Sequence, residues 1–155
     1  MEQLYHYTEC GLDDVYIHNM PPVIVDDGDE VYHIPHIHLL HKQISIDLIE
    51  TRQGLSGNDI KFLRTELGLT QAELARYVQK DAQTIGRWER DEHPIDAMAD
   101  FAIRALVLTE LGMKIVPEAL SRLCVMSAQN QKIDILFNGD DPDNPYASFN
   151  DKQAA

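Results

Sequence analysis

The chain has 155 residues, 44% of them hydrophobic, and its 26 Asp and Glu outweigh 13 Lys and Arg to give a formal net charge of −13. That length suits one domain, or one small domain with an elaborated flank, and the apolar fraction suffices for a buried core. Nothing approaches the ~18 apolar residues of a membrane span, the start MEQLYHYTEC lacks the charge and apolar block of a signal peptide, and two distant cysteines, Cys10 and Cys124, exclude a disulfide framework or a CxxC metal pair.

A cytoplasmic, reducing location is therefore expected. The first fifty residues alternate as strands do: LYHYT, DVYIHN, PVIVDD and EVYHIP are short β-branched and aromatic runs broken by Gly, Pro, Asp and Asn. PPVIVDDGDEVYHI predicts a hairpin with Asp27-Gly28 at its turn. Around Ile37 the period lengthens: Leu39, Leu40, Ile44, Leu48 and Ile49 recur at helical spacing, and Gly54 ends the run.

From Ser56 helix punctuation becomes dense. Ser56 with Asp59 resembles a capping box, followed by Ile60, Leu63 and Leu67 on one face, then Gly68. Thr70 with Glu73 forms a better box ahead of a short helix whose apolar stripe is Leu74, Ala75 and Val78. Asp81 can cap the next helix, with Ile85 and Trp88 inward. Asp96 can cap another, with Met98, Phe101, Ala102, Ala105 and Leu106 inward and Gly112 at its end. Pro117 suits the first turn of a further helix, Glu118 to about Ala128; KIDILF predicts a last strand, and NGDDPDNPYASFNDKQAA a disordered tail.

HIPHIHLLH sets His33, His36, His38 and His41 within nine residues. Imidazoles ligate metals and can act as pH switches. His36 and His38 share a face on a strand, His38 and His41 on a helix, and no Cys or HExxH accompanies them. A surface cluster with one or two packed members is the expectation, and no metal site is assigned.

LRTELGLTQAELARYVQKDAQTIGRWER, Leu63 to Arg90, has the element order of a helix-turn-helix: a short helix, a turn after Val78, and a second helix that must cross the first closely, with Ala75 as the small residue at the crossing. This stretch resembles the DNA-binding domains of the phage-repressor (XRE/Cro) type. SGNDIKFLRTELGLTQAELARYV followed by DAQTIGRWER is similar to the DNA-binding half of MqsA- and HigA-type antitoxins, and YHYTECGLDDVYIHN to a β segment that precedes the helices in some such regulators; the cysteine-rich zinc domain of full MqsA proteins is absent. With the element pattern above, this gives an α+β chain: a small acidic β-rich segment with a leading helix over residues 1–55, and over 56–112 the helix-turn-helix domain that the resemblance implies, within a five-helix, lambda-repressor-like fold. A C-terminal helix and strand over 113–138, a candidate for dimerisation, and a flexible tail over 139–155 complete it.

It also implies roles, carried over where residues match. Gln83 and Arg87, one turn apart, would face the groove floor, where Gln pairs with adenine and Arg with guanine, and Ala82 would touch a thymine methyl. Thr70, Gln71, Arg76, Lys80, Thr84 and Arg90 are candidate phosphate contacts, and Arg64 with Glu89 matches a buried ion pair between helices of this family. Two positions depart from the pattern: the turn, where Gly then an apolar residue is usual, has Gln79 and Lys80, and Gly86 sits inside the recognition helix. Charge is the other departure. Residues 1–55 hold ten acids and two bases, 56–112 ten acids and seven bases, and the remainder six acids and four bases, so the electrostatic footprint usual for a DNA binder is weak.

The expected function is a sequence-specific repressor, antitoxin-like and autoregulating, that binds a palindromic double-stranded DNA operator as a homodimer, with a basic protein such as a toxin as a further partner of the acidic N-terminal segment. The alternative is a protein-interaction module that keeps the fold without reading DNA. No cofactor and no membrane contact are expected. No nucleophile–base pair, phosphate-cradling loop or carboxylate pair points to an enzyme.

Overall fold

The computed structural model describes residues 4–24, 27–28, 30–113 and 132–148. The chain divides into two units: Met1–Glu9, Asp13–Ile44 and Lys132–Ala155 in one, Cys10–Leu12 and Ser45–Gln131 in the other. The architecture is α+β, with five helices and six strands among the described residues.

In the first unit, alternation decides which faces are buried. Strand β1 (Leu4–Tyr7) pairs antiparallel with β2 (Val15–His18), β2 parallel with β5 (Ile133–Phe137), and β5 antiparallel with β6 (Tyr146–Ser148), in the order β1-β2-β5-β6. Val15 lies opposite Ile133 and Ile17 opposite Ile135, and all four are buried, so one face of the central pair is a continuous β-branched surface. On the other face His18 Nε2 lies 2.9 Å from Asp134 Oδ1, and the His6 and Tyr16 rings, directly opposite across β1 and β2, stack with centroids 4.5 Å apart. Tyr7 and Tyr146 are buried in the core of this unit, where each finds a partner for its hydroxyl: Tyr7 at 2.7 Å from His41 Nε2, and Tyr146 donating to the Pro35 carbonyl at 2.7 Å. A separate hairpin joins β3 (Val23–Ile24) to β4 (Glu30–Val31), and Gly28 in its turn takes φ +86°, as the Asp27-Gly28 motif predicts.

The KIDILF strand is found as β5, paired with β2 over Ile133–Leu136 and with β6 over Ile135–Phe137. The tail expected over 139–155 contains β6, whose Tyr146 and Ser148 are buried against the sheet. The helix expected at Glu118 to Ala128 lies outside the described residues.

Helix α1 (Ile37–Thr51) begins after His36, which adopts a left-handed φ of 51°, and the division between units falls within it. In the second unit α2 (Gly57–Glu66), α3 (Gln71–Val78), α4 (Ala82–Glu89) and α5 (Ala97–Glu110) follow, capped in turn by Ser56, Thr70, Asp81 and Asp96 as their sequence signatures predict. Ile60, Phe62, Leu63, Leu74, Ala75, Val78, Ile85 and Trp88 form the core between them.

α5 turns a different face inward from the one expected. Met98 is 78% exposed and Phe101, Ala102, Ala105 and Leu106 are half-buried, whereas Ala99, Asp100, Ile103, Arg104, Val107 and Leu108 are buried. The cause is an internal ion pair. Arg104 Nε donates to Asp100 Oδ1 at 2.5 Å and Nη1 to the Ile49 carbonyl at 2.9 Å, while Asp100 Oδ2 accepts the Leu55 N–H at 2.9 Å. The pair thereby satisfies an orphan carbonyl in the last turn of α1 and an amide of the connection to α2, which a purely apolar face could not do. Arg52 and Asp59 form a second buried pair, at 3.4 Å.

α2 and α4 meet backbone to backbone. A Cβ built on Gly57 would lie 2.5 Å from the Glu89 carbonyl oxygen and 2.7 Å from that of Trp88. No side-chain rotation relieves such a contact, so Gly57→Ala is expected to destabilise by about 1–3 kcal/mol, the usual range for overpacking. Urea unfolding of the two proteins checks this, and an unchanged midpoint would show that α2 can shift on α4 at no cost.

Candidate nucleic-acid interface

The two helices that carry the candidate residues are short, eight residues each, so their ends decide their geometry. Thr70 Oγ1 accepts the Glu73 N–H and the Glu73 carboxylate accepts that of Thr70, closing the capping box of α3. α3 stops at Gln79, which takes the left-handed conformation (φ 59°, ψ 44°) that favours glycine; its side-chain amide donates to the Arg76 carbonyl at 3.0 Å. The backbone N–H of Lys80 donates to the Ala75 carbonyl at 2.9 Å, so the turn keeps its hydrogen bonds without glycine. The left-handed residue costs about 1–2 kcal/mol. Two residues on, Asp81 Oδ1 accepts from both the Thr84 N–H (2.8 Å) and its hydroxyl (2.7 Å), starting α4.

The acids of DAQTIGRWERD all turn to internal use. Asp81 caps α4; Asp91 Oδ1 accepts the Gly57 N–H at 2.9 Å at the start of α2; and Glu89 is buried in a network. Arg64 Nε donates to Glu89 Oε1 at 2.7 Å, Nη2 to Oε2 at 3.3 Å and Nη1 to the Leu69 carbonyl at 3.0 Å, and Gln71 Nε2 donates to Glu89 Oε2 at 2.8 Å. One carboxylate thus ties α2, the first residue of α3 and α4 together. Hydrogen bonds from the Thr84 hydroxyl and amide, with Arg87 adding its charge, hold the Asp81 carboxyl below its ordinary value.

What α4 leaves facing solvent is then cationic and polar. Gln83 and Arg87 are exposed and Ala82 is half-buried. The spacing of Gln83 and Arg87 puts them on one helical face, and neither side chain has a hydrogen bond or ion pair among the described residues; the same holds for the exposed Arg76 of α3. The other candidate phosphate contacts are engaged. Thr70 and Thr84 serve the caps, Gln71 holds Glu89, Lys80 Nζ lies 3.5 Å from Asp96 Oδ2, and Arg90 Nε donates to Glu92 Oε1 at 3.0 Å. The cap role of Asp91 and the close approach at Gly57 were not foreseen in the sequence, although a glycine immediately after an N-cap serine is the kind of signal that marks such a contact.

The histidines do not gather. His41 pairs with Tyr7, His33, His36 and His38 are exposed, and the His36 and His38 rings meet edge to face at 6.3 Å. Among the described residues no three His, Cys, Asp or Glu side chains come together as a metal site.

Comparison with known proteins agrees with the geometry. The family model described as Helix-turn-helix matches residues 60–98, which is α2 from Ile60, α3, α4 and the start of α5, roughly a quarter of the chain. This supports a helix-turn-helix of the XRE type here, and with it a DNA-binding regulator of that kind. No curated protein matches the chain, and no solved structure does. No described helix is long and apolar enough to cross a membrane.

Two outcomes are expected for the supports of this surface. Glu89→Ala leaves Arg64 without its partner, and because that side chain is 16% exposed the loss should fall near the lower end of the 3–5 kcal/mol range for a broken buried pair, about 3 kcal/mol by urea unfolding. For Asp81 the lowered folded value means that its contribution is full above the ordinary aspartate value of 3.8 and is lost as pH falls below it. The stability of wild type and Asp81→Asn should therefore converge in acid; a constant gap from pH 7 down to pH 2 would remove ionisation of Asp81 from the account.

Proposed function

We propose that this protein is a sequence-specific DNA-binding transcriptional regulator, a repressor of the antitoxin-like, autoregulating kind with a lambda-repressor-like helix arrangement. It acts as a homodimer in the cytoplasm, and no catalytic role is assigned to it. The observation that carries this function is the placing of Gln83 and Arg87 on one face of α4, exposed and with no side-chain hydrogen bond or ion pair among the described residues, while every acid of the same stretch is turned to structure. A helix held this way can lay Gln83 against an adenine and Arg87 against a guanine in the major groove, with Ala82 near a thymine methyl.

Dimerisation follows from economy of contact. A single eight-residue helix makes few base contacts, whereas two half-sites about one turn apart, ~34–36 Å, multiply affinity and match a palindromic operator. The N-terminal 55 residues, with ten acids and two bases, would face away from the DNA and suit a basic protein partner such as a toxin. The net charge of −13 favours a second function, an interaction module that keeps the fold without reading DNA.

Salt-titrated binding to the DNA upstream of its own gene, against random duplex, separates the two. Preference for the upstream duplex at physiological salt is expected, and equal affinity for both would leave only the interaction module. Within the regulator, Arg87→Ala should cost about 1–3 kcal/mol of specific binding and relax preference at one base pair, with folding unchanged.

A further inference from the structure

The two cations that bracket α4 already hold anions. Lys80 stands just before the N-cap of α4 and Arg90 is its C-cap residue, the two places from which a helix lying in a groove reaches the phosphates on either side. Arg90 presents Nε and Nη2 to the two oxygens of Glu92, at 3.0 and 3.4 Å, in the forked geometry a phosphate would otherwise receive. Lys80 Nζ lies 3.5 Å from Asp96 Oδ2. All four side chains are 40–60% exposed, so the pairs are open to a competing anion rather than locked in the core.

We infer that Glu92 and Asp96 are affinity-setting residues, intramolecular stand-ins for phosphate that DNA must displace before Lys80 and Arg90 can hold its backbone. This rests on the DNA-binding function proposed above. Pairs this exposed are weak, so displacement is feasible; each carboxylate left behind repels the incoming strand and takes up a counter-ion. Association with any duplex is weakened at these two points, and the base contacts of Gln83 and Arg87 become a larger share of what holds the protein to its site. The acids thereby keep occupancy of random DNA low, where backbone contacts supply essentially all the binding.

The test compares wild type with Glu92→Gln, Asp96→Asn and the double variant, on random-sequence duplex at low salt and on the upstream duplex. Asparagine remains a good N-cap, so Asp96→Asn keeps the bond that Asp96 makes to the Ala99 N–H and the start of α5. Glu110→Gln, at the far end of α5 about 20 Å away, removes the same charge without touching either pair. The expected result is affinity raised about two- to fivefold by each substitution on both duplexes, with the slope of log affinity against log salt steeper by up to about one for each. Glu110→Gln should change neither. Unchanged affinity and slope, an equal gain from Glu110→Gln, or no binding by any variant even at low salt would each overturn the inference. The DNA-reading function is judged on a different axis, by whether wild type prefers its upstream duplex, so either can fail without the other.

Discussion

The surface that α4 offers depends on one buried carboxylate and on the glycine beside which its helix ends. Glu89 accepts from Arg64 of α2 and from Gln71 at the start of α3, while the backbone around it lies against Gly57 closely enough to leave no room for a Cβ. The contact fixes how near α2 and α4 come, and the hydrogen bonds fix their rotation. Neither would suffice alone. Apolar packing of Ile60, Leu63, Ile85 and Trp88 is tolerant of small slides, whereas a forked guanidinium on a buried carboxylate is satisfied in only one arrangement. The pair need contribute little net stability to matter, because its loss would strand a charge and release the orientation of the helix that carries Gln83 and Arg87.

The same geometry shows how an acidic chain can carry a helix of this kind. Charge counts treat every carboxylate as if it faced solvent. In DAQTIGRWERD the three acids are spent on the N-cap of α4, the network with Arg64 and the first amide of α2, so the stretch presents its two arginines with less opposition than the composition suggests. The acids that do remain outside, Glu92 and Asp96, come just after the helix and lie beside Arg90 and Lys80. Net charge bears on how strongly a surface attracts any polyanion, while the direction in which each carboxylate points bears on what that surface can read.

What was legible in the sequence was what is local. The caps at Ser56, Thr70, Asp81 and Asp96 could be placed from residue types three apart, because the hydrogen bonds that make them span three residues. The exposure of Gln83 and Arg87 followed from the apolar positions Ile85 and Trp88 between and beside them. The inward face of α5 differs from its apolar periodicity for a physical reason: Asp100 and Arg104 look like solvent residues by type, yet they are buried because the last turn of α1 and the following connection need a donor and an acceptor there. The placement of β5 beside β2 was beyond local pattern, since a parallel pair is joined through a long crossover and nothing in KIDILF names its neighbour. β6 is three residues in a stretch rich in Asp, Asn and Pro, and it is a strand through its antiparallel pairing with β5, which local pattern does not announce.

Gln79 and Gly86, two residues unfavourable to the helices they end or occupy, lie close together in the chain. Gly86 is buried, and a Cβ there would come within 3.5 Å of the Gln71 side-chain oxygen and 3.0 Å of Arg90 Nη1. An interior glycine costs a helix about 1 kcal/mol relative to alanine. The Gln71 distance is ordinary contact, so the tight neighbour is the Arg90 guanidinium, which with a glycine there sits close against α4 while it holds Glu92. Gln79 adds a second local cost at the turn, offset in part by the amide it returns to Arg76. Both penalties fall at the turn and on α4, whose end is held against Gly57 of α2 and whose Glu89 is bound by Arg64 and Gln71. That distribution is expected of a site shaped by what it must present: strain is tolerated next to the presenting face, and the surrounding core holds it in place.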